Sequence, residues 1–194
     1  MTENDVWMEP EGHARSANLL GALAVGLEDA VRAALAQATG LDVTAVAAVL
    51  VVGARPGRSI ADLAAALGVT HSGAVRTLDR LLRRGLVERV PGRDARTQGL
   101  ALTDAGRTAA GHAVAARRSV LGGLLDGVSV DQQVTLVPAM EALLARLPAD
   151  RRDAWRICRT CEHDVCRGAQ CPVGNAVDPA DTGDAVRSPS SRRR

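Results

Sequence analysis

Apolar residues recur at helical spacing through most of the chain, and once the pattern gives way to a short alternation. Leu19, Leu20, Leu23, Leu27, Val31 and Leu35 share one face over residues 14–38, which predicts a long first helix. Asp42 or Thr44 can start a second helix through Val52; it is apolar on nearly every face and is predicted to be buried. Ser59-Ile60-Ala61-Asp62 reads as a capping box that opens a short helix with Ile60, Leu63 and Leu67 on one side, and Gly68 ends it. Thr70 caps the next helix, His71 to Arg84, whose apolar stripe is Val75, Leu78, Leu81 and Leu82. Its outer face keeps His71, Ser72, Arg76, Arg80 and Arg83.

Gly85 closes that helix, Leu86 to Val90 alternates as a strand, and Pro91-Gly92 turns the chain toward a second strand ending at Leu102. Thr103-Asp104 starts a helix running toward Leu125, with a break expected at Gly122-Gly123, and Ser129-Val130-Asp131-Gln132 starts the last, reaching Leu147 before Pro148. The predicted class is mainly α with a small β-hairpin wing, a winged helix-turn-helix flanked by further helices. Such an order points to DNA, since a helix of about fourteen residues is about 21 Å long and fits a major groove. Thr70, His71, Ser72 and Arg76 stand at the end that meets base edges, and Arg80 is placed for phosphates. Arg93 and Arg96, at the hairpin tip, have the reach and charge for a narrow minor groove. The plain alternative is a solvated helix face with arginines favoured near its C-terminus.

Charge supports the first reading. Residues 71–96 hold seven Arg against three carboxylates, a formal +4, whereas the 194-residue chain carries only +2. There is no Lys, Phe or Tyr, so the core must be Leu, Val and Ala; aliphatic helices bury less area each, which favours stabilisation by dimerisation. No signal-peptide pattern and no run of about 18 apolar residues is present, which predicts a cytoplasmic protein without membrane partners. The four His, at 13, 71, 112 and 163, stand in no catalytic motif, and neither GxSxG nor a phosphate-binding Gly loop occurs, so the chain does not read as an enzyme.

These residues together resemble the MarR-type transcriptional regulators. The likeness rests on Leu67-Gly68-Val69-Thr70, on Val75-Arg76-x-Leu78-Asp79-Arg80-Leu81, on Arg84-Gly85-Leu86-Val87-Glu88-Arg89, on Asp94-x-Arg96 in the wing and on Leu102-Thr103-x-x-Gly106. It covers roughly residues 14–147. It implies a homodimer built from the terminal helices, with two winged domains on neighbouring major grooves of a pseudo-palindromic operator, acting more often as repressor than activator. It also implies a small-molecule effector site between the dimer region and the winged domain, though no residue identifies the effector.

A second signal lies beyond that resemblance. All four cysteines fall in Cys158-x2-Cys161-x4-Cys166-x4-Cys171, and a cytosolic cluster of this density is more often a metal site than a disulfide framework. The spacing resembles a retroviral-type zinc knuckle with Cys166 in place of its His, although the accompanying aromatic and glycines are missing. Four thiolates suit structural zinc; they also suit an iron–sulfur cluster, or a thiol/disulfide switch. His163 could substitute as a ligand. Arg151, Arg152, Arg156, Arg159 and Arg167 would lower thiol pKa values and offset the charge of four thiolates on zinc. The alternatives to a DNA-binding protein with a zinc site are therefore a redox- or iron-sensing regulator and a zinc-dependent protein-interaction adaptor without DNA binding. If the cluster orders the segment after the last helix, it could clamp that helix against a partner subunit. The expected organisation is a flexible N-terminus (1–13), N-terminal dimerisation and support helices (14–54), a winged DNA-binding region (55–103), C-terminal dimerisation helices (104–147), the four-cysteine module (148–177) and a disordered tail (178–194).

Overall fold

Helix α2 (Val43–Ala54) has no charged residue, and it is the element that the rest of the winged unit packs around. Asp42 caps its N-terminus by accepting from the Ala45 N–H at 2.9 Å. Ala45 through Leu50 and Val52 are all buried, joined by Leu35 of α1 (Pro10–Thr39), Leu63 and Leu67 of α3 (Ile60–Leu67), and Leu78 and Leu81 of α4 (His71–Arg83). Val87 of β1 (Val87–Pro91) and Leu100 and Leu102 of β2 (Gln98–Leu102) close the same aliphatic core. The order continues with α5 (Asp104–Leu125), α6 (Val130–Leu144), α7 (Arg151–Ile157) and α8 (Pro172–Asn175) in a computed structural model that describes residues 10–92, 98–166 and 168–177.

The two strands pair antiparallel with Val87 opposite Leu102 and Pro91 opposite Gln98, so the alternation in the sequence becomes a hairpin with Val87, Leu100 and Leu102 facing inward. Leu100 also exchanges hydrogen bonds with the α2–α3 loop, accepting from Gly57 N–H at 2.8 Å and donating to Arg58 carbonyl oxygen at 3.0 Å. The wing is thereby fastened to the helix-turn-helix rather than hanging from α4 alone. α1 lies along α5, and among the described residues no single helix is long and apolar enough to cross a membrane.

Four expectations are corrected. α5 runs unbroken through Gly122-Gly123; neither glycine takes a positive φ, and the cost of about 1 kcal/mol for each is carried by a helix 22 residues long. α6 stops at Leu144 rather than Leu147, in a turn preceding Pro148, where the residue before a proline resists the helical conformation. It is also not the last helix, since α7 and α8 follow. The first helix reaches back to Pro10, into the stretch expected to be flexible, because a proline in the first turn gives up only an N–H that has no partner there. Residues 1–9 and the tail 178–194 lie outside the described residues, as do Arg93, Arg96 and Arg167.

Gly106 packs where β2 gives way to α5, and a Cβ there would run into the carbonyl oxygen of Leu86. Gly111, one and a half turns on, faces open space. Gly106→Ala should lower unfolding free energy by about 1–3 kcal/mol in urea titration, the range for overpacking. Gly111→Ala should raise it by about 0.5–1 kcal/mol, since only the chain entropy of glycine changes.

Candidate nucleic-acid interface and the cysteine module

The helix-turn-helix is built by local chemistry. Ser59 and Asp62 form the reciprocal capping box, with the Asp62 N–H donating to Ser59 Oγ at 3.2 Å and the Ser59 N–H donating to Asp62 Oδ2 at 3.0 Å. Gly68 ends α3 in the left-handed conformation, φ 66°, and its N–H and that of Val69 cap the helix carbonyls. Thr70 then accepts from the Gly73 N–H at 3.1 Å and launches α4. Thr70 Oγ1 is also 3.2 Å from Ser72 Oγ, so the two hydroxyls at the head of α4 form one polar pair.

α4 buries Ala74, Thr77, Leu78 and Leu81, which rotates His71, Ser72, Arg76, Asp79 and Arg83 to solvent. Thr77 is accommodated because its hydroxyl donates to the Gly73 carbonyl at 3.1 Å. Val75 and Leu82, expected in the apolar stripe, are half-buried at its margins. Of the residues assigned to DNA, Thr70, His71, Ser72 and Arg76 form one exposed surface. Arg80 is turned aside: its Nη2 lies 2.6 Å from Asp42 Oδ2 in a half-exposed ion pair that ties α4 to the cap of α2. Neighbouring Arg84, the C-cap of α4, donates to the Gly40 carbonyl at 3.1 Å and ties the same end of α4 to the α1–α2 turn. Arg93 and Arg96 belong to the connection between β1 and β2, outside the described residues.

The cysteine module does not sit apart. α7 lies against α3, the first helix of the helix-turn-helix, and α8 lies against α6, the helix that the clamp idea concerns. Trp155 takes the guanidinium of Arg55 over its ring at 4.7 Å and that of Arg58 at 5.7 Å, and both arginines belong to the α2–α3 connection. Burial, then the neighbouring Arg58 charge, push the Arg55 pKa down. Arg156 crosses the tight turn: a Cβ on Gly68 would lie 2.7 Å from Arg156 Cδ. On the other side, Glu162 pairs with Arg118 of α5. Neither Trp155 nor α7 was read from the sequence. The signal available was Asp150 three residues before Asp153, just after Pro148; Asp150 caps α7 by accepting from the Asp153 N–H at 2.8 Å.

Cys158 ends α7, and Cys161 follows in a turn whose N–H donates to the Cys158 carbonyl at 3.0 Å. Cys171 is the N-cap of α8, its Sγ accepting from the Gly174 N–H at 3.1 Å. The four half-buried thiols are free; Cys158 donates to Cys161, and Cys166 donates to the Gln170 carbonyl at 3.7 Å. Among the described residues no three His, Cys, Asp or Glu side chains converge closely enough to hold a metal as they stand. The hydrogen bond from Cys158, with the charges of Arg117 and Arg159 opposing the effect of burial, brings the Cys161 thiol down to about 6. The same bond, burial and the charges of the other cysteines push Cys158 far up. Burial, and behind it the Arg55 charge, push the His163 imidazole down, leaving it neutral at pH 7. Cys161 and His163 edge an open cavity of about 600 Å³ whose floor is Leu50, Gly53 and Val114 of α2 and α5.

The comparisons with known proteins fall on this architecture. Residues 39–97, from the end of α1 into the wing, match a model described as MarR family. The fold is that of the MarR-type winged helix. FabT of Streptococcus pneumoniae, solved in complex with DNA, superposes with a TM-score of 0.59 at 20% identity, over 68% of this chain and 94% of its own. A MarR family protein from Bacillus stearothermophilus gives 0.62 at 20% identity, over 70% and 95%. The Mycobacterium tuberculosis MarR family protein RV2887, solved with p-aminosalicylic acid, gives 0.53 at 28% identity, over 66% and 96%. These MarR-type chains are spanned almost whole, while about a third of this one extends beyond each of them. No functionally curated protein matches.

The Cys158–Cys161 pair sets a pH dependence. In protein treated with a chelator, iodoacetamide should alkylate Cys161 first, at a rate that climbs as pH rises through about 6 while the thiolate forms. Cys158→Ala removes the donor and should move that midpoint upward toward ordinary thiol values. Equal reactivity of all four cysteines, read by peptide mass spectrometry, would contradict the pairing.

Proposed function

We propose that the protein is a sequence-specific DNA-binding transcriptional regulator that acts as a homodimer on a pseudo-palindromic operator, as a repressor. The observation that carries this reading is the exposed head of α4, where Thr70, His71, Ser72 and Arg76 form one polar surface on a 13-residue helix capped by Thr70 and tied to the α1–α2 turn at its C-terminal end. A guanidinium at Arg76 has the fork geometry to contact guanine O6 and N7. Arg93 and Arg96 of the wing are assigned to the minor groove on charge and on their place in the chain between β1 and β2. Arg80 reaches a phosphate only by leaving Asp42. FabT, of the same fold, has been solved bound to DNA, which supports the assignment.

Dimerisation is supported by apolar side chains that the single chain leaves uncovered. Leu19, Leu20 and Leu23 of α1 are exposed, as are Val134, Val137 and Leu143 of α6. Faces of this extent are covered by a partner in a soluble protein, and a second copy places two α4 helices for half-sites about 34 Å apart. The cavity floored by Leu50, Gly53 and Val114 is the place for an effector.

Operator fragments selected from a random duplex pool would test the reading by fluorescence anisotropy. Binding should weaken steeply with salt, about one log unit per log unit of salt for each phosphate neutralised. Arg76→Ala should cost about 1–3 kcal/mol on the selected sequence and little on random duplex. A shallow salt dependence, or Arg76→Ala protein with unchanged affinity on the selected sequence, would favour the adaptor reading instead.

A further inference from the structure

Residues 148–177 fold around a core of three buried side chains, Ala154, Val173 and Val177, with Leu144, Ile157, Cys158 and Cys171 packed against it. So small an apolar cluster cannot offset the chain entropy of ordering about thirty residues, and segments of this size are held by disulfides or metals. The cysteines are free thiols, and backbone groups are already shaped around their sulfurs. The Cys158–Cys161 turn closes through the Cys161 N–H to the Cys158 carbonyl. Cys171 Sγ takes the Gly174 N–H, and the backbone approaches so closely that a Cβ on Gly174 would lie 3.0 Å from that sulfur. An N–H directed at sulfur is an outer-shell contact that orients and stabilises a thiolate ligand. Asn175 reaches back to the carbonyls of Gly168 and Ala169 at 3.2 and 3.1 Å, fixing α8 to the turn before Cys171.

We infer that these four cysteines take a thiophilic metal centre, a zinc ion or an iron–sulfur cluster, and that the closed module presses α7 onto the helix-turn-helix. In the structure Cys158 and Cys171 flank the same small core, while no three of the sulfurs converge closely enough to hold a metal as they stand. Cys161 and Cys166 lie on the stretch between them, where Val165 is 65% exposed and belongs to neither apolar cluster. Closing the site on a metal therefore asks for movement of Cys161 and Cys166 rather than of α7, α8 and their small core. Each thiol gives its proton to solvent as the metal binds, and Arg159 and Arg117 stand near enough to Cys161 to offset the excess negative charge. The closed module would hold Cys158, the C-cap of α7, and with it Trp155 over Arg55 and Arg156 over Gly68.

The test uses full-length protein carrying Trp7→Phe, which leaves Trp155 as the single tryptophan. It is made in cells supplied with zinc or with iron and purified without oxygen. Expected is about one zinc per chain in colourless protein, or iron with acid-labile sulfide in brown protein; the two results identify the centre. A chelator should then expose all four thiols to a thiol reagent and shift Trp155 emission to the red as its ring leaves Arg55. Cys158→Ser and Cys171→Ser should each lose the metal, whereas Glu162→Gln should keep it. If a serine variant does not fold, the chelator experiment on the unaltered cysteines decides alone. Metal-free protein from both preparations, its thiols free or joined as disulfides, would overturn the site. Metal removal with Trp155 emission unchanged would overturn the coupling to α3. None of these readouts needs DNA, so they stand or fall independently of the regulator assignment.

Discussion

Every element of the winged unit is positioned against α2, a helix whose twelve residues contain no charge and whose buried side chains are Ala, Val and Leu. With no Phe or Tyr anywhere in the chain, the core has no large plate to fill a misfit. The surrounding elements must approach α2 closely, and the small residues at their crossings follow from that. Gly53 of α2 admits Leu102 of β2, whose Cδ1 lies 2.9 Å from where a Cβ would be. Gly99 lies against the Gly57 backbone with 2.6 Å between its missing Cβ and the Gly57 carbonyl oxygen. The wing, the turn and α4 therefore share one rigid foundation, and the outward aim of Arg76 depends on the burial of Leu78 and Leu81 on the opposite side of its helix.

Much of this was legible because it is local. Capping by Ser59, Asp62, Thr70 and Thr103 is decided within four residues, and the structure shows each cap where the sequence places it. The period-two alternation of the hairpin and the all-apolar character of α2 are equally short-range properties. What was not legible depends on partners distant in sequence. Arg80 reads as an outer-face arginine until Asp42, on the far side of α3, is brought beside it. Trp155 reads as an isolated aromatic in a basic stretch until Arg55 and Arg58 are found over its ring. The break expected at Gly122-Gly123 failed because glycine permits a kink without enforcing one.

The terminal module changes what the MarR-type fold has to accommodate. Its own core is slight, and its contacts run to α3 through Trp155 and Arg156 and to α5 through Glu162 and Arg118. It thus touches the first helix of the helix-turn-helix and, through Glu162 and α8, the helices α5 and α6 that follow the wing. A change in the order of this segment would be felt on two sides of the winged domain at once, and a segment with so little buried surface is the part of the chain that opens at least cost.

Gly68 shows what that arrangement demands over evolutionary time. Its φ of 66° is a conformation that Asn also tolerates, so asparagine is the ordinary substitute at such a helix end. Here the Arg156 side chain occupies the space where any side chain at that position would begin. Asparagine can enter once the Arg156 side chain has swung aside, at the expense of its packing over the turn. The turn of the helix-turn-helix and a helix near the other end of the chain are therefore linked through one side chain, and a change at either position is felt at the other.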